Sequence, residues 1–160
     1  MAGAIQDLYD SNMRHSTDGI HQYSLYGESG QLPDVMHCET IAERSVIYEW
    51  ELAPHRHDRL HQLLLLSVGS GVARLDEAEF VLPAGSLVNV PRTTVHAFTF
   101  EPGTDGWVLT LADAMLDELL AQAPDVRCAL GRAWVGVAHP DVKEVVAQIG
   151  REYAGRAPGR

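Results

Sequence analysis

Three of the eight histidines stand within seven residues of one another, in Pro54-His55-Arg56-His57-Asp58-Arg59-Leu60-His61-Gln62. His55 and His57 are two apart, so on a β-strand their side chains leave the same face at a spacing that suits one shared metal ion. A fourth, His96, follows the turn sequence Pro91-Arg92-Thr93-Thr94. If the two segments lie side by side, His55, His57 and His96 converge, with Gln62 or a water as fourth ligand. Such a set suits zinc or another divalent first-row ion. The alternative is a metal-free pocket whose imidazoles hydrogen-bond ligand or water, and both readings stay open. His61 should leave the opposite side of its strand from Gln62 and meet solvent.

Other residues could complete a pocket for a flat organic ligand. Trp50 and Trp107 offer large aromatic faces, and ring-on-ring contact adds about 0.5–1.5 kcal/mol beyond burial. Phe98 lies two residues past His96 and shares its face. Tyr48, two before Trp50, could present a phenolic hydroxyl, and His37 with Glu39 could form a polar pair at a barrel mouth. Each of these aromatic side chains could equally be core. A carboxylate ligand would need a counter-charge from a metal, a protonated imidazole or an arginine, with Arg44, Arg74 and Arg92 as the options.

The elements that must position these residues are short strands divided by turn chemistry. Expected strands cover 20–26, 35–41, 45–52, 62–68, 72–75, 80–82, 87–90, 95–100 and 107–111, with Asp76-Glu77 as a hairpin turn. Their spacing implies an all-β sandwich or barrel. Helical periodicity follows. Asp113 caps a helix carrying Leu116, Leu119, Leu120 and Ala123, and Pro124 ends it. A second helix starts at Pro140-Asp141 with the stripe Val142, Val145, Val146, Ile149 and Tyr153. That stripe should bury against the barrel or against the same helix of a second subunit. Trp134 falls outside the expected strands. The organisation is a flexible arm over 1–20, a barrel over 21–111, a helical dimerisation segment over 112–154 and the start of a hinge over 155–160.

The chain has 160 residues, the length of one domain, with 46% hydrophobic and 21% charged residues. A formal net charge of −10 makes it a poor partner for nucleic acid, which needs clustered Lys and Arg. Cys38 and Cys128 belong to no Cys-x-x-Cys motif and are expected to be reduced. No signal sequence or span-length apolar run is evident, so the expected location is the cytoplasm, with no membrane contact.

The spacing of the histidines resembles the two cupin motifs. The first has His-x-His, four residues, a fourth ligand position, six residues and a glycine, matched here by His55, His57, Gln62 and Gly69. The second is matched by Gly85, Pro91, Thr93 and His96. Gln62 stands where cupins usually have glutamate, Thr93 replaces the second glycine, and Phe100 replaces a frequent asparagine. The stretches Leu25-Tyr26-Gly27-Glu28, His37-Cys38-Glu39-Thr40-Ile41, Trp50-Glu51-Leu52-Ala53-Pro54-His55-Arg56-His57-Asp58 and Asp105-Gly106-Trp107-Val108-Leu109-Thr110-Leu111 resemble AraC-type transcription regulators of an aromatic-acid-responsive branch. The resemblance implies a mainly β fold, a cupin (jelly-roll) barrel followed by two or more C-terminal helices. It implies an effector domain that binds a hydroxybenzoate- or hydroxyphenylacetate-like acid without catalysis. It also implies a homodimer through the C-terminal helices, and DNA bound only by a helix-turn-helix domain beyond this chain. The competing expectations are a small metal-dependent cupin enzyme, a dioxygenase or isomerase, and a purely structural module if the interior is packed solid.

Overall fold

The computed structural model describes residues 36–155 and, for their backbone alone, two short strands, β1 (Met13–His15) and β2 (His21–Tyr23). Next come β3 (Met36–Thr40), α1 (Ile41–Ile47), β4 (Glu51–Arg56), β5 (Leu60–Val68), β6 (Ser70–Leu75), β7 (Ala78–Pro83), β8 (Ser86–Val90), β9 (His96–Phe100) and β10 (Asp105–Ala112). The chain continues through α2 (Asp113–Leu119), α3 (Pro124–Leu130), β11 (Trp134–Val137) and α4 (Pro140–Ala154). Apart from β1, the expected arm lies outside the described residues, as do residues 156–160 of the expected hinge.

The strands form two facing sheets, ordered β1-β2-β4-β9-β6-β7 and β11-β8-β5-β10-β3. All pairings are antiparallel except β2 with β4. This is the expected jelly-roll sandwich with helices after its last long strand. The run Leu63-Leu64-Leu65-Leu66 on β5 is apolar at every position because both faces of that strand are covered. Leu64 and Leu66 point between the sheets, among Leu52, Val88, Val90, Phe98, Phe100 and Val108. Leu63 and Leu65 point outward, into a second cluster with Cys38, Leu109, Trp107 and Val146 of α4. Full burial contributes about 1.5–3 kcal/mol for each such leucine.

Helix α4 seats closely on this outer face. A Cβ at Gly150 would lie 2.5 Å from the Trp107 ring, so only glycine lets the helix approach so near. Val146 is buried, with Ile149 and Tyr153 packed beside it, while Val142 and Val145 stay exposed. The stripe therefore buries largely against the barrel. Among the described residues no helix is long and apolar enough to cross a membrane.

Four local expectations need correction. Residues 45–52 do not form one strand: α1 occupies 41–47 and turn residues follow. The reason is a capping box, in which the Thr40 hydroxyl accepts the Glu43 N–H and the Glu43 carboxylate accepts the Thr40 N–H, both at 3.1 Å. Trp134 lies in a strand, β11, paired with β8. Pro124 opens α3, where its missing N–H costs nothing. Asp113 is the first residue of α2, not a side-chain cap. Its carboxylate instead accepts from Arg127 at 2.9 Å and pairs with Arg92 at 3.2 Å.

Candidate ligand and metal site inside the barrel

Strand register brings the histidines together. On neighbouring strands β4 and β9, His55 stands opposite His96, past an irregularity that begins at Leu52. His57 follows the end of β4, and its carbonyl accepts the Thr93 N–H at 2.7 Å, which ties the Pro91–Thr94 turn against it. Thr93 holds φ at 67°, the left-handed conformation that the glycine of the motif supplies without strain. All three histidines are buried, and one nitrogen from each lies within 4.8 Å of the others. The ring centroids are 4.2 Å apart for His55 and His96, and 5.2 and 5.4 Å for the pairs with His57.

The protein also sets which nitrogens can act as ligands. His55 Nδ1 donates to the Ala53 carbonyl at 2.7 Å, and His96 Nδ1 to the Thr94 carbonyl at 2.9 Å. Such bonds fix the tautomer, so Nε2 is the ligand atom each ring offers. His96 Nε2 is buried with no hydrogen-bond partner. Burial, and then the neighbouring His55 and His57, hold the His96 pKa well below the ordinary imidazole value, so Nε2 keeps its lone pair at neutral pH. Tetrahedral zinc with bonds of about 2.0–2.1 Å spaces its nitrogens roughly 3.3 Å apart, within reach of small side-chain rotations from the present separation. The three histidines fit a divalent metal.

The cavity above the triad is lined by His55, His96, Gln62 and Phe98, and by Arg44 and Ser45 of α1 among others. Gln62 donates to Thr110 Oγ1 at 3.2 Å, its partner across β5 and β10. The Phe98 ring meets His96 edge-on at 5.9 Å. The lining contains no carboxylate. The enclosed space is about 20 Å³, room for one water molecule or an ion. A ring-sized ligand therefore needs α1 or the phenylalanines to move.

The remaining expected site residues lie elsewhere. Trp107 packs beneath α4 on the outer face of its sheet, against Gly150. His37 meets the Tyr153 hydroxyl of α4 at 3.1 Å. Tyr48 caps the C-terminal end of α1 and Trp50 sits in the turn after it with φ at 67°; neither lines the cavity. The helix displaced both from the strand alternation that would have aimed them inward. His61 does leave the side opposite Gln62, but it is fully buried there, not in solvent. Its Nε2 donates to Asn89 Oδ1 at 2.8 Å, and Asn89 in turn donates to the Leu130 and Arg132 carbonyls at 3.0 and 2.6 Å. Of the three arginines, Arg44 reaches the cavity, while Arg74 pairs with Glu79 and Arg92 with Asp113. Ser45 was not anticipated. The capping box was the available signal, since Ile41, Arg44 and Ser45 then fall at i, i+3 and i+4 on one helix face.

Two facing sheets with an interior histidine triad define a cupin-type barrel. The chain belongs to the AraC-like ligand binding domain family, whose pattern matches residues 37–156. Among solved structures it is similar to KdgF from a Halomonas species, at 25% identity and a TM-score of 0.37, over 39% of this chain and 57% of that one. A cupin protein from Bacteroides fragilis matches at 12% identity and a TM-score of 0.37, over 50% of this chain and 67% of that one. Oxalate decarboxylase from Bacillus subtilis matches at 12% identity and a TM-score of 0.28, over 71% and 41%. The chain thus spans less than two thirds of the KdgF and oxalate decarboxylase chains. No curated protein matches the sequence.

Proposed function

We propose that this barrel is the sensory part of a transcription regulator. It binds a small aromatic carboxylic acid, of the hydroxybenzoate or hydroxyphenylacetate class, and passes the event to a DNA-binding unit through its C-terminal helices. The observation that carries this reading is an interior cavity lined by Arg44 on one side and by His55 and His96 of the histidine triad on another. An acid of that class presents a carboxylate to the cation and a phenyl face to Phe98 and Phe100, which are stacked at 5.6 Å. The triad supports zinc or another first-row ion as a resident metal, with Gln62 as the candidate fourth ligand, and the exposed Val142 and Val145 support a homodimer through α4. Isothermal calorimetry with 4-hydroxybenzoate and 4-hydroxyphenylacetate, on protein of known metal content, tests the reading. Micromolar binding without turnover is the expected result. No heat for either acid sinks it and leaves the purely structural module, which the small cavity would also suit.

The same triad favours a second reading, a small metal-dependent enzyme, because three imidazoles leave coordination positions open for a reacting molecule. The lining offers no carboxylate as a general base. Oxygen uptake or conversion of either acid by the zinc- or iron-loaded protein would decide for that reading.

A further inference from the structure

A chain of polar contacts leads away from the cavity to the C-terminal helix. Arg44 lines the cavity from α1, and its Nε donates to Glu39 Oε1 at 2.6 Å. The two side chains are only 11% and 12% exposed. The same Glu39 oxygen faces His37 Nε2 at 3.8 Å. His37 Nδ1 meets the Tyr153 hydroxyl at 3.1 Å, with the two rings edge to face. Tyr153 stands in the last turn of α4. Burial would raise the Glu39 carboxyl pKa, yet the nearby His37 and the Arg44 guanidinium outweigh it and hold the group below its usual range. Beside Arg44 on the cavity wall, the Ser45 hydroxyl is almost wholly buried and has no hydrogen-bond partner. A buried hydroxyl left so is costly, and an oxygen acceptor in the cavity would relieve it.

We propose that Arg44 and Ser45 form the carboxylate subsite of the cavity, and that an anion bound there is reported to α4 through Glu39, His37 and Tyr153. The inference rests on the ligand-sensing reading and adds to it a named recognition group and a route out. A ligand carboxylate competes with Glu39 for one guanidinium, whose fork of donors suits two parallel bonds to either partner. Two carboxylates beside one cation repel, so Glu39 moves toward His37 and closes the present 3.8 Å approach to a hydrogen bond. With Nε2–H engaged, Nδ1 accepts the Tyr153 hydroxyl more firmly, and the last turn of α4 is held more tightly against β3. Differential contact of this kind is what a ligand needs to shift a conformational equilibrium.

The test uses the whole chain, 4-hydroxybenzoate as the anionic probe and 4-hydroxybenzamide as its neutral counterpart. Wild type is expected to prefer the acid by about 10-fold or more, the scale of a hydrogen bond to a charged group. Arg44→Lys should lose most of that preference. The double variant Glu39→Gln with Arg44→Gln leaves no isolated buried charge, and it should bind acid and amide alike. Acid should slow hydrogen exchange in the last turn of α4 in wild type but not in Tyr153→Phe, whose affinity stays within a few-fold. Equal binding of acid and amide by wild type, or an undiminished preference in Arg44→Lys, overturns the subsite and leaves ligand sensing standing. An unchanged α4 response in Tyr153→Phe overturns the route. Failure of both probes to bind overturns the sensing of this ligand class and the subsite with it.

Discussion

Substituting His96 by leucine separates a metal ligand from an ordinary core residue, because only the loss of a ligand abolishes stabilisation by zinc. The His96 ring is 1% exposed, and its Nε2 lacks a partner. Leaving a buried polar atom unsatisfied costs about 1–3 kcal/mol. The substitution removes that cost but takes the Nδ1–H donor away from the buried Thr94 carbonyl, which costs a similar amount. Leucine has nearly the same volume, and it would pack against Phe98 and the His55 and His57 rings. Metal-free His96→Leu should therefore lie within about 1 kcal/mol of metal-free wild type. With zinc the two separate. Free zinc at one hundred times its Kd stabilises wild type by about 2.7 kcal/mol. For a chain of this size that raises Tm by roughly 5–10 °C, and the variant should show none of the rise. Thermal unfolding followed by circular dichroism, in EDTA and then with stepped zinc, reads both effects. A variant that is less stable than wild type in EDTA by more than about 1 kcal/mol, or that keeps the zinc-dependent rise, refutes the reasoning.

Three further outcomes follow from the same contacts. Asn89→Ala removes the three hydrogen bonds that tie His61 on β5 to the α3–β11 connection, and urea unfolding should show a loss of about 2–4 kcal/mol; a loss below about 1 kcal/mol would mean that the network contributes little. Thr93→Gly relieves a left-handed φ worth about 1–2 kcal/mol and adds freedom to the unfolded chain worth about 0.4–1, so a small gain in urea midpoint is expected, and a loss above about 1 kcal/mol contradicts the strain. The third concerns pH. The Glu39 carboxyl is lowered in the fold, so the unfolded chain takes up its proton first as pH falls. The Glu39–Arg44 contribution is thus whole above the ordinary value of 4.5 and is lost as pH drops through the folded value. Urea midpoints measured from pH 6 to 3 should fall less steeply below 4.5 in Glu39→Gln than in wild type. Parallel curves would remove Glu39 from the acid limb.

Much of the barrel was legible because strand alternation and turn chemistry are local. The Asp76-Glu77 hairpin, the long apolar run of β5 and the helix from Pro140 all follow from neighbours within a few residues. The segment from Ser45 to Leu52 misled because an apolar alternation by chance overlay a short helix, and the capping residues five positions upstream decided the matter. The site divided in the same way. The spacing of His55, His57 and His96 was legible because two histidines two residues apart share a side of an extended segment, and a histidine after a fixed turn can be brought opposite them. Trp107, His37 and His61 could not be placed by that logic.

The sequence by itself determined which residues share a strand face, and hence that three imidazoles could converge. It could not determine what covers each face. His61 lies at no interior position of the sandwich, yet it is sealed because Asn89 and the α3–β11 connection pack over it. Trp107 leaves the outer face of β10, beside Leu65, and it is core and not solvent-exposed because Gly150 lets α4 lie directly on it. Arg44 met the cavity, and Glu39 met Arg44, only because α1 packs against β10 and β3 with Ile41 in the inner core. Periodicity is set by backbone geometry within one element, whereas burial and polar partnership are set by whichever distant element supplies the opposing surface. That is why the metal triad could be anticipated from spacing, while the carboxylate subsite and its route to α4 required the folded chain.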